Sequence, residues 1–436
     1  MPFYYGYFNI EMVLYFYFVH LQLMGVLYNC IVIITTFFLS ILALFNKKMK
    51  LFVDGRATTF DKLSVFTADD KVVWFHAASL GEFEQGRPII ERLKQELPSY
   101  KILLTFFSPS GYEIRKDYEL ADVVCYLPMD SKKNVREFLE VVNPTMAIFI
   151  KYEFWPNYLK GLEQRDISTL LVSGIFRENQ IFFKLHGGFM RKSLKAFDHF
   201  FVQDQSSQQL LNSIGLNNVT ISGDTRFDRV YEILNQDNRL DFISEFKNNQ
   251  YTVVAGSTWG EDEKLIVNYI NNSASKDEKF IIAPHNMNTN AIDELKKSIL
   301  KETVLYSEKQ GKTLSDYDVF IVDTIGILTK IYSIADAAYV GGGLTKNGVH
   351  NILEPATYGV PIVIGPAYKK YKEVVDLVAL NGCKVIANQN EFSTIFTKLK
   401  EDLGYRKQLG QINQHFIKEN IGATKATMNY INSQLK

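Results

Sequence analysis

The stretch YVGGGLTKNGVHNILEPATYGVPIVIGP, from Tyr339 to Pro366, organises the fold of this chain. A short apolar run (337–340) leads into three glycines, a polar loop follows, and a helix is predicted to begin near Asn351. A second apolar run (361–364) then ends in Gly-Pro. Glycine at a strand end lets the backbone come close to a ligand, and the free N–H groups of a new helix attract an anion. The stretch therefore predicts a phosphate site at the carboxyl edge of a parallel sheet; an ordinary strand–turn–helix corner is the alternative.

Length and composition indicate a multidomain enzyme-sized protein without a global charge bias. The chain has 436 residues, which suggests two to three domains. Lys and Arg together number 48, as do Asp and Glu, so no overall field attracts nucleic acid and no nucleic-acid partner is expected. The three cysteines (Cys30, Cys125 and Cys383) are far apart, and the histidines form no H-x-x-x-H pair. We therefore expect neither a disulfide framework nor a metal site.

The N-terminal region has the composition of a membrane anchor. Residues 24–45 contain no Asp, Glu, Lys or Arg and are long enough to cross a bilayer as a helix. A Lys-Lys-Met-Lys cluster begins at Lys47, which predicts that the C-terminal side faces the cytoplasm. We predict an uncleaved anchor over 24–46, preceded by an extension (1–23) if the natural start is Met24. A buried core helix and an interfacial helix are the alternatives.

Both halves of the remaining chain alternate strands with helices, which predicts two doubly wound parallel sheets. We place the first domain at 47–235, the second at 236–416, and a closing C-terminal helical segment at 417–436. Two such α/β domains with facing carboxyl edges are the plan of a GT-B glycosyltransferase. The predicted strands include 72–76, 101–106, 123–127, 146–150, 169–172, 200–203, 280–283, 319–322, 337–340, 361–364 and 384–387.

In the first half, charged residues follow predicted strands. Glu82 comes just after one strand, where it serves either as a proton acceptor or as a first-turn residue stabilised by the helix dipole. Lys151 and Glu153 follow another strand and form either a site or a structural ion pair. Residues 177–195 mix apolar and basic side chains, which suits an anionic membrane surface; a core helix with a solvated basic face is the alternative.

In the second half, several polar residues lie at predicted carboxyl edges. His285 ends a strand, where a plain surface histidine is equally common. His350, Asn351 and Glu354 share the corner after the three glycines and favour a ligand site over a simple turn. Lys346 adds charge to this loop or is merely solvated.

A set of motifs, in order and spacing, resembles the 3-deoxy-D-manno-octulosonic acid (Kdo) transferases of lipopolysaccharide synthesis, which are GT-B enzymes of glycosyltransferase family 30. The resemblance extends over nearly everything after Met24. It rests on His76-Ala-Ala-Ser-Leu-Gly-Glu82, Leu127-Pro-Met-Asp130, Glu153-Phe-Trp-Pro-Asn157, Gly223-Asp-Thr-Arg-Phe-Asp228, Asp323-Thr-Ile-Gly326, and Val340-Gly-Gly-Gly through His350-Asn-Ile-Leu-Glu354 to Gly365-Pro366.

The resemblance implies an enzyme at the cytoplasmic face of the cell inner membrane that transfers Kdo from CMP-Kdo to a lipid A precursor (lipid IVA), with inversion and without a metal or other cofactor. Glu82 matches the family's general base. Arg226 matches a basic position that steadies developing charge, while Lys151 and Glu153 occupy an acidic motif of the family. CMP-Kdo is expected to contact Pro284, His285, Ile325, Gly326, Ile327, Asn351, Ile352, Leu353 and Glu354.

The sequence departs from the family pattern at three points. The usual Pro-Arg-His is Pro284-His285-Asn286, the usual Glu-x-Glu-Leu-Trp-Pro begins with Lys151, and the usual Gly-Glu-Leu is Gly326-Ile327-Leu328. A GT-B transferase that uses a UDP-sugar on another membrane lipid, or a non-catalytic membrane-anchored nucleotide-binding scaffold, are the alternative functions.

Overall fold

The computed structural model describes residues 10–435, and these divide into two compact units. The first unit extends to Arg226 and also includes the C-terminal segment from Gly422, and the second is Phe227–Ile421. Our prediction placed the division between 235 and 236 and treated 417–436 as a closing segment. The proposed extension, residues 1–23, reaches outside the described residues.

The first unit is built on a sheet of seven parallel strands in the order β3-β2-β1-β4-β5-β6-β7. Chain order reverses between β1 and β4, which makes the carboxyl ends of these two strands the topological switch point where open α/β sheets bind ligands. The strands are β1 (Val72–Ala77), β2 (Lys101–Phe106), β3 (Val123–Tyr126), β4 (Met146–Ile150), β5 (Ser168–Gly174), β6 (His199–Val202) and β7 (Val219–Ile221).

The second unit has its own sheet of seven parallel strands, in the order β10-β11-β9-β8-β12-β13-β14. Its switch point lies between β8 and β12. The two doubly wound sheets confirm the predicted α/β architecture. The strands are β8 (Tyr251–Thr258), β9 (Glu278–Pro284), β10 (Thr303–Leu305), β11 (Val319–Ile321), β12 (Ala337–Val340), β13 (Ile362–Ile364) and β14 (Cys383–Val385).

Helices connect the strands, joined by a few short 3-10 turns. The last helix belongs to the first unit, where Met428 and Ile431 join the apolar cluster on one face of the first sheet. The helices are α1 (Ile10–Leu42), α2 (Lys47–Ala57), α3 (Thr59–Leu63), α4 (Leu80–Glu96), α5 (Pro109–Arg115), α6 (Lys132–Val142), α7 (Pro156–Glu163), α8 (Gly188–Ser193), α9 (Gln205–Ser213), α10 (Thr225–Glu232), α11 (Asp241–Lys247), α12 (Gly260–Asn272), α13 (Thr289–Ser298), α14 (Leu328–Ile331), α15 (Leu353–Thr357), α16 (Lys372–Ala379), α17 (Gln389–Glu401), α18 (Leu403–Glu419) and α19 (Ala423–Leu435).

The alternation of side chains along β1 determines which face of the sheet His76 occupies near the carboxyl edge. Successive strand residues point to opposite faces, so Val72 and Trp74 enter one apolar cluster while Val73 and Phe75 enter the other. His76 therefore lies on the same face as Trp74, and it is fully buried. A buried imidazole needs polar partners, and they are found at the switch point.

Local hydrogen bonds and backbone angles determine where two helices begin. Helix α4 begins at Leu80, where the Glu82 side chain accepts the Ser79 N–H and caps the first turn. Helix α14 begins only at Leu328, because Gly326 adopts a φ of 91° that is incompatible with a right-handed helix.

Within residues 22–42, most apolar side chains of α1 are exposed, so the core-helix alternative is wrong. Phe37 and Ile33 are each 63% exposed. Within α1, residues 22–42 are long and apolar enough to cross a membrane. The helix therefore fits a membrane anchor.

Candidate active site

The first switch point holds a buried polar cluster built from the ends of β1 and β4. His76 Nε2 lies 3.0 Å from Glu153 Oε2, and the same oxygen accepts the Trp155 indole N–H at 2.8 Å. Glu153 is only 7% exposed. Glu153 was predicted to belong to a site or to an ion pair with Lys151, and the structure gives its carboxylate His76 and Trp155 as partners.

The other side of the His76 ring is held by β2. His76 Nδ1 lies 2.8 Å from the Thr105 hydroxyl, which also accepts the Trp74 indole N–H at 2.8 Å. Trp74, His76 and Thr105 are all fully buried. A chain of hydrogen bonds thus runs from the apolar core to Glu153 and fixes the orientation of its carboxylate.

Glu82 lies beside this cluster, in the first turn of α4. Its Oε2 accepts the Ser79 backbone N–H at 2.9 Å and the Ser79 hydroxyl at 3.2 Å. Burial raises the pKa of Glu82 above its ordinary value, and the charge of Glu153 raises it further, against the opposing effects of Ser79, His76 and Lys151. Glu82 therefore caps its own helix, and its carboxyl also has a raised pKa, as a proton acceptor would need. Its role as a proton acceptor stays a prediction.

Two predicted basic residues also belong to the first unit. Lys151 follows β4 with a positive φ of 68°, and its charge acts on Glu82 and on Asp224. Arg226 donates to Asp224 Oδ2 through Nε at 2.9 Å and Nη2 at 2.7 Å. Asp224 also accepts a hydrogen bond from the Gln85 side-chain amide at 3.0 Å. Gln85 lies on α4, so this helix helps to orient Asp224 and, through it, the Arg226 guanidinium.

In the second unit, three aromatic rings stack at the second switch point. The rings of Trp259 and His285 are 4.7 Å apart, and those of His285 and His350 are 4.4 Å apart. The Trp259 indole N–H donates to His350 Nε2 at 2.9 Å. Burial and the neighbouring His285 lower the pKa of His350 to about 4, so this ring is neutral at physiological pH. His285 itself is exposed, and burial lowers its pKa as well.

The three glycines after β12 are explained by packing within the chain. A Cβ on Gly342 would lie 2.4 Å from Gly348 O, and one on Gly343 would lie 2.7 Å from Gly365 N. The Gly342 N–H donates to the buried Asp262 carboxylate at 2.8 Å. Packing within the chain therefore accounts for Gly342 and Gly343, and the approach of this loop to a ligand stays a prediction.

The residues predicted to bind CMP-Kdo share the carboxyl edge of the second sheet, after β9, β11 and β12. Ile325 is 80% exposed and nothing lies within 4 Å of a Cβ placed on Gly326, so this turn is open. Ile327 is half-buried, and Pro284 ends β9. Ile352 and Leu353 are buried in an apolar cluster, so a contact of these two side chains with CMP-Kdo stays a prediction.

The corner after the glycines differs from the expected helix start. Helix α15 begins at Leu353 and has five residues, too few to support a dipole-based anion site. Asn351 Oδ1 accepts the Leu353 N–H at 3.1 Å, and its amide donates to Glu354 Oε1 at 3.0 Å. Glu354 Oε2 accepts the Thr329 hydroxyl at 2.7 Å, so Asn351 and Glu354 form one fixed polar unit.

The sequence reasoning missed several residues that build these sites. His76 appeared only inside a motif, and Thr105, Asp224, Trp259 and Asp262 were not singled out. The alternation of side chains along β1 could have shown that His76 is buried on the same face as Trp74. The position of Trp259 at the end of a strand could have marked it as a candidate site residue. Among residues 10–435, no group of three or more His, Cys, Asp or Glu side chains is arranged to hold a metal ion.

Comparison with known proteins identifies the family. A family model described as 3-deoxy-D-manno-octulosonic-acid transferase matches residues 54–229. The 3-deoxy-D-manno-octulosonic acid transferase of Rickettsia felis is 30% identical over 336 residues, covering 75% of this chain and 71% of that protein. A bifunctional glycosyltransferase/methyltransferase of Fusobacterium nucleatum is 27% identical over 86% of this chain, which spans 59% of that protein's length.

The fold has relatives among solved structures. A UDP-GlcNAc 2-epimerase from Neisseria meningitidis, solved bound to UDP-GlcNAc, matches with a TM-score of 0.57 at 14% identity, covering 83% of this chain and 100% of that one. This likeness confirms the GT-B class of the two doubly wound units. Together with the family match, the relation to the Rickettsia felis protein over most of both chains shows that this chain belongs to the family of Kdo transferases, which are glycosyltransferases.

Proposed function

We propose that this protein transfers Kdo from CMP-Kdo to a lipid A precursor (lipid IVA) in lipopolysaccharide biosynthesis, with inversion, with Glu82 as the general base and without a metal. The observation that carries the proposal is the setting of Glu82, a carboxyl with a raised pKa beside the buried His76–Glu153 pair at the first switch point. Family membership supplies the sugar and the reaction class.

The proposed chemistry is one displacement. Glu82 accepts the proton of an acceptor hydroxyl as that oxygen bonds to the anomeric carbon of Kdo. The bond between this carbon and the phosphate oxygen of CMP-Kdo breaks at the same centre, and the electron pair leaves with CMP. Attack opposite the leaving group inverts the configuration. A base whose pKa is raised toward the working pH accepts a proton more effectively in this step.

Charge on the leaving phosphate needs stabilisation, and basic side chains are the proposed source. Arg226 is oriented by Asp224 and Lys151 acts electrostatically on the same carboxylate. In the second unit, the fixed Asn351–Glu354 pair offers oxygen and amide groups for the nucleotide, and the open turn at Gly326 leaves room for it. His285, at the position of the arginine in the usual family motif, is a proposed contact of CMP.

Membrane attachment suits a lipid acceptor. Helix α1 fits an anchor, and we propose that the catalytic units lie on the cytoplasmic face of the inner membrane, as the lysines that follow α1 indicate.

The test is incubation of the full chain with CMP-Kdo and a tetraacyl lipid A precursor, with products identified by mass spectrometry. We expect Kdo addition and release of CMP. Glu82→Gln should lower the rate by about 10²–10⁴-fold, the usual contribution of a general base, while CMP binding persists. Glu91→Gln is the matched control, because Glu91 lies on the same helix and pairs with Arg87 at 2.6 Å on its surface.

Two outcomes would contradict the proposal. Release of a uridine nucleotide from a UDP-sugar, with CMP-Kdo unused, would favour the alternative transferase. Binding of CMP with no transfer by the unmodified protein would favour the scaffold.

A further inference from the structure

Helix α1 is docked on the first unit along a single stripe. The Tyr28 hydroxyl donates to Asp130 Oδ2 at 2.7 Å, and the Asn157 side-chain amide donates to Asn29 Oδ1 at 3.1 Å. The rings of Tyr28 and Phe189 are 5.8 Å apart. The docked positions of α1 include Gly25, Tyr28, Asn29 and Val32, which are spaced i, i+3, i+4 and i+7 and so share one helix face.

Over residues 22–42, most of the remaining α1 surface is apolar and exposed. Between 40% and 63% of each of the following side chains is exposed: Leu23, Val26, Leu27, Ile31, Ile33, Ile34, Phe37, Phe38, Ile41 and Leu42. A patch of this size on a soluble surface marks an interaction site.

A second apolar feature lies next to the docked helix. Leu185 is fully exposed and Ile181 is 42% exposed, in the segment that leads into α8, whose Phe189 contacts α1. Basic side chains flank both features. The exposed lysines are Lys47, Lys48, Lys50, Lys184, Lys192 and Lys195. Apolar side chains bordered by lysines match the chemistry of an anionic lipid surface.

The docking contacts conflict with a helix that stands upright in the bilayer. α1 is held by the first unit at Tyr28, and α2, which follows it, is held by the same unit through Arg56, whose Nε donates to Leu127 O at 2.9 Å. The segment from Tyr28 to Leu42 extends about 21 Å along a helix axis. In an upright helix, Asp130 and Asn157 would then lie deep within a hydrocarbon core about 30 Å thick. Carboxylate and amide groups are costly at that depth.

We propose that α1 lies in the plane of the membrane along the first unit, and that its exposed face forms one lipid-binding surface with the Ile181–Leu185 tip. The occupant is a bilayer with anionic headgroups. This inference rests on the proposed membrane function and adds its geometry: the enzyme is attached from one side, with the unit that holds Glu82 pressed against the bilayer.

The experiment measures the depth of spin labels in vesicles of phosphatidylethanolamine and phosphatidylglycerol. The full chain carries Cys30→Ser, while Cys125 and Cys383 are buried and unreactive. Single variants Leu27→Cys, Ile34→Cys and Ile41→Cys place labels seven residues apart on one exposed face of α1. A second set, Ile31→Cys and Phe38→Cys, repeats the measurement at independent positions. Leu185→Cys reports on the tip, and the exposed Leu300→Cys in the second unit is the aqueous control.

We expect one common depth for Leu27, Ile34 and Ile41, lipid contact at Leu185, and an aqueous signal at Leu300. A depth that changes along the helix by about 21 Å between Leu27 and Ile41 would show an upright helix and overturn the inference. An aqueous signal at every α1 position would overturn it as well. The depth of a label is measured without CMP-Kdo and without the lipid acceptor. Kdo transfer assayed on the same variants therefore tests the proposed function independently of the membrane geometry.

Discussion

Gly342 and Gly326 of the second unit form a matched pair of positive-φ glycines. Substituting each one tests whether it is needed for packing of the fold or for binding of the ligand. Gly342 and Gly326 have nearly the same backbone φ, 90° and 91° respectively. A Cβ on Gly342 would lie 2.4 Å from Gly348 O and 2.9 Å from the His350 ring, whereas nothing lies within 4 Å of a Cβ on Gly326. The same substitution at the two positions therefore differs only in the space that the new methyl group meets.

The expected magnitudes follow from this difference. An alanine at positive φ costs about 1–2 kcal/mol, which is the whole cost expected for Gly326→Ala. Gly342→Ala adds overpacking of about 1–3 kcal/mol, because the nearest atoms belong to backbone that cannot move aside freely. Gly342→Ala should therefore lower the free energy of unfolding of the second unit clearly more than Gly326→Ala does.

The assay is amide hydrogen exchange of β12 (Ala337–Val340), which reports opening of the second unit. Steady-state kinetics on the same proteins should show a raised KM for CMP-Kdo in Gly326→Ala, since its open turn belongs to the proposed donor site. Equal loss of protection in the two variants would refute the packing argument. A raised KM for Gly342→Ala with unchanged protection would restore the ligand role first expected for the three glycines.

Three further predictions concern the first unit and the reaction. Glu153→Gln removes a charge that raises the pKa of Glu82, so the acid limb of the pH profile of kcat/KM should move to lower pH; an unmoved limb would exclude this coupling. Thr105→Val leaves the buried Trp74 indole N–H without its acceptor and should cost about 1–3 kcal/mol of stability in chemical denaturation, with Thr105→Ser as the variant that restores it. Kdo transfer should survive dialysis against EDTA, and loss of activity that Mg²⁺ restores would contradict the metal-independent mechanism.

The sequence by itself determined the architecture of this protein. Apolar runs bounded by glycine and alternating with helical patterns located most strands to within a few residues, since strand and helix periods are local properties of the chain. The absence of charge over residues 24–45 was enough to predict an apolar helix that fits a membrane anchor. Motif order identified the family and placed Glu82 between β1 and the helix that follows it.

Only the tertiary structure decided what those residues contact. His76 and Glu153 are brought together from two neighbouring strands, and Tyr28 meets Asp130 across 102 positions of sequence. The use of the Gly342 N–H by Asp262 and the docking of α1 on the first unit depend on the same kind of long-range contact. No local pattern encodes such pairs, because their free energy arises from burial and hydrogen bonding that exist only after the sheet has assembled.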